Sequence, residues 1–166
     1  MKRRLPVSIQ DFVKISKGGY IYVDKTSIIH RLISDVESAF FLSRPRRFGK
    51  SLLCSTQGAI FEGRRELFDE IAGRPALAIN TLEWEWKEHP VIRIDLNPGN
   101  YSNGIDVLYD NLNRNIEFCT QKYQVPITGE TVSDRFTCLI YSLHKHLNEQ
   151  VVVIIDEYDK PLLQYY

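Results

Sequence analysis

The first strong pattern along the chain is an apolar stripe with the spacing of an amphipathic helix. It predicts a helix over residues 25 to 36, whose first turn Asp24 can cap with its carboxylate. Residues 40 to 42, FFL, then form a short run without a polar position. Such a run is typical of a strand that helices cover on both faces. The stripe consists of Ile28, Ile29, Leu32, Ile33 and Val36.

Further helices and a loop are predicted in the middle of the chain. Apolar periodicity predicts a helix over residues 50 to 61, which we expect to end at Gly63. Between residues 74 and 89 we predict a loop that Trp84 and Trp86 anchor to the core. A shorter helix between these segments is marked by Leu67, Phe68 and Ile71.

The last half of the chain contains two predicted strands separated by two long helices. The strands are VIRIDL at residues 91 to 96 and the β-branched run VVVII at 151 to 155. We expect the second of these strands to be buried. Apolar positions at helical spacing lie at 105 to 119 and at 132 to 147. This order of helices and strands predicts an α/β fold with a mainly parallel sheet flanked by helices.

Net charge, cysteine spacing and the length of apolar runs limit the classes of protein to which the chain can belong. The chain has 166 residues and a formal net charge of zero, which argues against a protein that binds polyanions over its whole surface. There is no CxxC pair, no apolar run long enough to span a membrane and no apolar run after the basic start MKRR. We therefore expect a cytoplasmic protein without a signal peptide. The cysteines, Cys54, Cys119 and Cys138, are far apart.

The segment RPRRFGKS contains half of a phosphate-binding motif. The P-loop pattern is G-x-x-x-x-G-K-[ST], and Gly49, Lys50 and Ser51 supply its second half, while Arg44 stands where the first glycine belongs. The segment follows a predicted strand and opens a predicted helix, so its backbone amides and the helix dipole can face an anion. Lys50 can then reach the β- and γ-phosphates, and the Ser51 hydroxyl can ligate magnesium.

Two other interpretations of this segment remain open. The tripeptide GKS also occurs as an ordinary turn and helix start, because so short a pattern arises often by chance. Alternatively, the basic residues form a nucleic-acid patch, although such patches usually have more charge around them. The residues concerned are Arg44, Arg46, Arg47 and Lys50.

The second candidate feature is the acidic end of the last strand, in VVVIIDEYDKP. Asp156 follows the apolar run directly, as in a Walker B motif, where an aspartate holds magnesium directly or through water. Glu157 comes next and can polarise an attacking water as a general base. Acidic residues also close strands simply because the chain returns to water there. Asp95 ends the other strand and is not included in the predicted site.

These motifs together resemble the AAA-ATPase-like family of prokaryotic P-loop proteins. The resemblance spans nearly the whole chain, and members similar to this one carry arginine at the position of Arg44. In that family the ATPase-like domain is commonly followed by a region resembling PD-(D/E)XK nucleases. The matching segments are LPVSIQDF at 5 to 12, YIYVDKT at 20 to 26, FLSRPRRFGKSLL at 41 to 53, HPVIRIDL at 89 to 96 and VVVIIDEYDKPLL at 151 to 163.

The resemblance implies ATP and Mg²⁺ as ligands. It implies catalytic roles for Lys50 and Glu157, and magnesium held by Ser51 and Asp156. A functional interpretation would place Asp24 and Lys25 near the nucleotide, but we expect Asp24 to cap a helix and leave the role of Lys25 open. The residues expected to bind the nucleotide are Arg46, Arg47, Phe48, Gly49, Lys50, Ser51 and Leu52.

The resemblance also predicts that the chain is the first part of a longer domain. We expect residues 1 to 36 to be an N-terminal extension and helix, and 37 to 166 a nucleotide-binding core that stops shortly after the Walker B strand. A following strand with a γ-phosphate sensor would then be missing, which places turnover in doubt. The expected partners are a nucleotide, a further copy of the chain, and nucleic acid through a downstream nuclease-like region. The alternative functions are a nucleotide-dependent interaction module without turnover and a nucleic-acid-binding module.

Overall fold

The computed structural model describes residues 4–34, 39, 41, 43, 48–71 and 74–165 of the chain. The chain forms two compact units, Met1–Lys87 and Glu88–Tyr166. Among the described residues, none of the helices combines the length and the apolar character needed to cross a bilayer. The predicted boundary between an N-terminal extension, residues 1 to 36, and a nucleotide-binding core, residues 37 to 166, stays a prediction.

The described part of the first unit is built from helices and short turns. Helix α1 is Phe12–Lys17, helix α2 is Thr26–Ser34 and helix α3 is Lys50–Phe61. Single 3₁₀ turns follow at Arg65–Leu67 and Ala78–Thr81. The prediction of α3 is confirmed to the residue, because its apolar spacing and the following glycine are both local signals.

The core of the first unit is an aromatic and aliphatic cluster. Phe12 stacks against Phe68 with ring centroids 4.7 Å apart, and Phe68 in turn meets Trp86 at 5.0 Å. Trp84 contacts Phe61 edge-on at 5.9 Å. Both tryptophans therefore anchor the loop to this core, as the sequence predicts.

The second unit is a two-stranded parallel sheet packed with helices. Strand β1 is Val91–Asp95 and strand β2 is Val152–Asp156, and they pair in register from the first residue to the last. Helices α4, Asp106–Tyr123, and α5, Val132–Leu147, lie between them in sequence. A short helix α6, Lys160–Tyr165, follows β2. The predicted α/β class with parallel strands is confirmed for the described residues.

An apolar core fixes the strands of the second unit against its helices. Helix α4 packs directly on β1 and on α5. Buried side chains from both layers pack together there. They include Ile92, Ile94, Leu96, Tyr101, Ile116, Leu139 and Leu143.

Three predictions about individual segments are wrong, and the first two concern strand β2 and the short helix after α3. Strand β2 is not buried throughout, because Val153 and Ile155 are 40% and 49% exposed and alternate with buried neighbours. Such alternation arises when only one face of a strand is well covered. The short helix after α3 is reduced to the 3₁₀ turn ending at Leu67, since Phe68 turns out of it into the core.

The predicted strand at 40 to 42 lies largely outside the described residues. Of its three residues only Phe41 is described, and it is outside any strand and 72% exposed. Burial of Phe41 is therefore a third wrong prediction, because an apolar run is buried only where a second layer covers it. Residues 35 and 36 of the predicted helix also lie outside the described part.

Candidate functional site

Helix α3 starts directly after a glycine with a left-handed backbone. Gly49 is the N-cap and adopts φ 76° and ψ 26°, in the left-handed region that favours glycine. Having no side chain, it caps no amide of the first turn, and that turn contains no acidic residue. An anion at this end of a 12-residue helix would therefore meet backbone amides and the positive end of the helix dipole.

The predicted nucleotide-binding residues begin α3. Lys50 and Ser51 are its first two residues, and both are half-buried. Leu52 packs against the core of the first unit and is thus fixed structurally, whereas the Phe48 ring is 63% exposed. The predicted positions Arg46 and Arg47, like Arg44, lie outside the described residues.

Two buried hydroxyl groups on α3 hold the helix in place. Ser55 Oγ accepts a 2.9 Å hydrogen bond from the backbone amide of Phe12. Thr56 Oγ1 lies 3.2 Å from the Tyr22 hydroxyl and donates to the Leu52 carbonyl one turn back at 2.9 Å. Burial raises the pKa of Tyr22, so its hydroxyl stays neutral at physiological pH. No local sequence pattern predicts these contacts of Ser55 and Thr56, because Phe12 and Tyr22 lie 43 and 34 positions away along the chain.

Asp24 and Thr26 of the segment YIYVDKT have structural roles. Asp24 Oδ1 accepts from the backbone amide and hydroxyl of Thr26 at 2.8 and 2.7 Å. Its second oxygen accepts from the amide of Ala78 at 2.7 Å, and Thr26 Oγ1 accepts from Ile79 at 3.0 Å. The expected helix-starting role of Asp24 is confirmed, and the same carboxylate also fastens α2 to the 3₁₀ turn at residues 78–81.

The acidic end of β2 lies beside the end of β1 in the second unit. Asp156 is only 4% exposed, and its register partner is Asp95. Register partners in a parallel pair point to the same face, so the carboxylates of Asp95 and Asp156 project from neighbouring strands on the same side of the sheet. Asp95, left out of the predicted site, therefore belongs to the same cluster. Arg93, two residues earlier on that face, has Nη2 3.9 Å from Asp156 Oδ2.

The residues after β2 have unusual backbone and side-chain environments. Glu157 adopts φ 56°, a conformation that costs energy for any residue with a Cβ atom. Asp159 Oδ1 is buried and has no hydrogen-bond partner among the residues that the structure describes. Strained backbone and unsatisfied polar groups are concentrated at functional sites, although they occur elsewhere as well.

Helix α6 is fastened to the loop that follows β1. Lys160 Nζ donates to the Asn97 carbonyl. Gln164 Oε1 accepts from the amide of Tyr101 at 3.1 Å, and the Gln164 carbonyl accepts from Ser102 Oγ at 3.2 Å. Tyr101 itself is buried and donates to the Leu96 carbonyl at 2.7 Å. These contacts hold together the two segments that follow the strands, namely the loop after β1 and helix α6 after β2.

The carboxylates of this cluster fit the needs of magnesium only in part. Magnesium prefers oxygen ligands, keeps several waters and is commonly held by one or two carboxylates. Asp156 and the unpartnered oxygen of Asp159 are donors of that kind. Within the described ranges, however, there is no group of three or more histidine, cysteine or acidic residues arranged to hold a metal. A cation here would depend on ligands beyond the side-chain carboxylates.

Comparison with known proteins gives one family and one curated relative. The family model for a predicted AAA-ATPase, the AAA-ATPase-like family, matches residues 6–166. The chain is 38% identical over 164 residues to a protein of Azotobacter chroococcum mcd 1, described as an uncharacterized protein in the vnfD 5′ region. That match covers 98% of this chain and 30% of the relative, so the chain spans less than a third of the relative's length. No solved structure matches the chain significantly.

Proposed function

Since the chain belongs to the predicted AAA-ATPase family, we propose that it binds ATP through a P-loop and hydrolyses it with the help of magnesium. The observation that carries the proposal is the left-handed Gly49 placed directly before Lys50 and Ser51 at the start of α3. This is the local geometry that a phosphate-binding turn needs, and the family match makes nucleotide phosphate the preferred anion.

Each residue has a separate role in the proposal. Lys50 would neutralise charge on the β- and γ-phosphates, and the Ser51 hydroxyl would serve as a magnesium ligand. Asp156 would serve as a magnesium ligand directly or through water, and Glu157 would orient and deprotonate the attacking water. Magnesium, when bound, would offset the charge that develops on the phosphate oxygens. In longer relatives we expect hydrolysis to be coupled to a downstream module.

ATP binding is tested by calorimetry with Mg-ATP. We expect the wild-type chain to bind and Lys50→Ala to lose at least about tenfold in affinity, because a charge-assisted contact to phosphate is worth about 1.5–3 kcal/mol. Lys17→Ala is the matched control, since Lys17 is an exposed lysine at the end of α1 in the same unit. Equal binding by wild type and Lys50→Ala, or no binding by a folded wild type, would rule out the P-loop.

Turnover is tested separately with Glu157→Gln. The amide keeps the size of the side chain but cannot take a proton, so hydrolysis should fall by about 10²–10⁴-fold while binding of Mg-ATP persists. A wild-type chain that binds Mg-ATP but releases no phosphate would instead be a nucleotide-dependent interaction module. In that case Glu157→Gln would leave every measured property of the chain unchanged.

A further inference from the structure

We propose that Ser55 and Tyr22 are positioning residues that hold helix α3 where its first residues can bind phosphate. The inference rests on the proposed function, in which the start of α3 meets the phosphates of ATP. It goes beyond that function because it gives a task to two segments, LPVSIQDF and YIYVDKT, that the proposed binding roles do not use. Both segments and α3 belong to the first unit.

Ser55 joins α3 to the beginning of helix α1. Its Oγ atom accepts a 2.9 Å hydrogen bond from the backbone amide of Phe12. Phe12 is the first residue of α1, so its amide has no partner within its own helix. The cap residue Asp11 accepts instead from the amides of Val13 and Lys14. Ser55 and Phe12 are both buried, and a buried amide without an acceptor is costly.

Tyr22 provides a second hydrogen bond, to the residue that follows Ser55 on the helix. Thr56 donates its hydroxyl proton to the Leu52 carbonyl at 2.9 Å, so its oxygen can accept from the Tyr22 hydroxyl at 3.2 Å. The Tyr22 ring also meets the Phe12 ring edge-on, with centroids 5.1 Å apart. The two segments therefore contact each other and reach α3 at adjacent positions.

These two hydrogen bonds lie just beyond the first turn of α3. Lys50 and Ser55 are five residues apart, or about 7.5 Å along the helix axis. Further along, Ala59 and Ile60 bury the helix in the apolar core. Apolar packing is non-directional, whereas a hydrogen bond tolerates little change in length or angle. The bonds of Ser55 and Thr56 therefore fix how far the start of α3 projects toward a phosphate.

Loss of one of these hydrogen bonds should reduce the fraction of chains whose α3 is in the binding position. The apparent dissociation constant for ATP rises in proportion as this competent fraction falls. The residues that contact ATP stay the same, and bound ATP itself holds the start of α3 in place. The association rate should therefore fall, while the dissociation rate should stay close to that of the wild type.

The measurement is Mg-ATP affinity by calorimetry, at a temperature where circular dichroism shows every chain to be folded. We expect Ser55→Ala to bind about fivefold more weakly than wild type, and Tyr22→Phe about threefold more weakly. Stopped-flow mixing with a fluorescent ATP analogue should place both losses in the association rate. Tyr22→Phe keeps the ring and changes no residue of α3, so it carries the test should Ser55→Ala fail to fold.

Ser16→Ala is the matched control for a merely structural role. Ser16 is also buried and lies in α1, but its hydroxyl donates to the Leu67 carbonyl at 2.6 Å and not to α3. Its replacement removes a buried hydrogen bond from the same unit, so the melting temperature should fall. The affinity and both rate constants for the nucleotide should stay at their wild-type values.

The outcomes are distinct. Unchanged affinity in folded Ser55→Ala or Tyr22→Phe chains, with wild type binding Mg-ATP, overturns the inference and leaves the proposed function standing. An equal loss in Ser16→Ala overturns it as well, because any weakening of the unit would then act alike. A loss confined to the dissociation rate also overturns it, because it would indicate a lost contact with ATP. A folded wild type that binds no ATP overturns the proposed function and this inference together. A loss in the association rate of Ser55→Ala and Tyr22→Phe, absent from Ser16→Ala, supports both.

Discussion

The two residues of greatest interest for nucleotide chemistry, Gly49 and Glu157, both have left-handed backbone conformations. Glycine adopts such angles at no steric cost, whereas glutamate does not. The conformation at Gly49 agrees with its residue type. The conformation at Glu157 is imposed by the surrounding structure, and that is the kind of strain found where a side chain is held for a task.

Substitution of Gly49 tests its backbone conformation. A Cβ atom built there meets no atom within 4 Å, so only the conformation opposes a side chain. We expect Gly49→Ala to lower the free energy of unfolding by about 1 kcal/mol, measured by urea denaturation. Gly129→Ala should cost more, because its Cβ would also lie 2.8 Å from the backbone nitrogen of Arg135. A stabilised Gly49→Ala chain would contradict this assignment.

Strain at Glu157 should reverse the usual order of alanine and glycine. We expect Glu157→Gly to be more stable than Glu157→Ala, by up to about 1 kcal/mol, because only glycine relieves a positive φ. Lys145, exposed within helix α5, provides the comparison, since there glycine should be the less stable by about 0.5–1 kcal/mol. The same order at both positions, measured by denaturant midpoints, would show that Glu157 is unstrained.

At the scale of elements, helix α5 begins with a capping box. Thr131 Oγ1 accepts from the amide of Asp134 at 3.1 Å, and the Asp134 carboxylate accepts from the hydroxyl and amide of Thr131 at 2.7 and 3.2 Å. The box satisfies amides that the helix itself leaves unpaired. The bond from the Thr131 hydroxyl, followed by the one from its amide, lowers the pKa of Asp134 below the usual 3.8.

This capping box predicts a specific dependence of stability on pH. Because the folded pKa of Asp134 is depressed, its contribution is complete above the unfolded value of 3.8 and is lost as pH falls through the lower folded pKa. Asp134→Asn should therefore flatten the acid limb of a plot of urea midpoint against pH. Thr131→Ala should do the same, since it removes the hydroxyl donor. Parallel acid limbs in all three chains would exclude this linkage.

At the scale of the whole molecule, the residues that the structure describes form two apolar clusters, one in each compact unit. We expect each unit to unfold as its own cooperative transition, because each has its own core. Both tryptophans of the sequence, Trp84 and Trp86, lie in the first unit. Tryptophan emission therefore reports on that unit, and circular dichroism on both.

A core substitution in the second unit tests this expectation. Leu139 is completely buried in α5, and Leu139→Ala should lower the stability of its unit by about 2–5 kcal/mol. The shift should appear in part of the circular dichroism transition and be absent from tryptophan emission. Ile79→Ala, in the core of the first unit, should shift the transition seen by tryptophan emission and the other part of the circular dichroism transition. Identical shifts by both probes for both variants would mean a single cooperative transition.

What the sequence by itself determined is the set of elements whose signals are local. Helices α3, α4 and α5 and strands β1 and β2 were predicted because apolar periodicity, β-branched runs and the residues that end them act over a few positions. The candidate phosphate-binding residues at the start of α3 come from the same kind of local signal, because they are consecutive in the sequence, and their binding role stays a prediction. Gly49 among them has a left-handed backbone.

Only the tertiary structure decided what meets across long stretches of chain. The pairing of β1 with β2 brings together residues about sixty positions apart, and so sets Arg93 and Asp95 beside Asp156. Burial of Val153 and Ile155 failed as a prediction because the residue type does not say which face another layer covers. The positive φ of Glu157 likewise belongs to the folded chain, because no local sequence pattern predicts a positive φ at a glutamate.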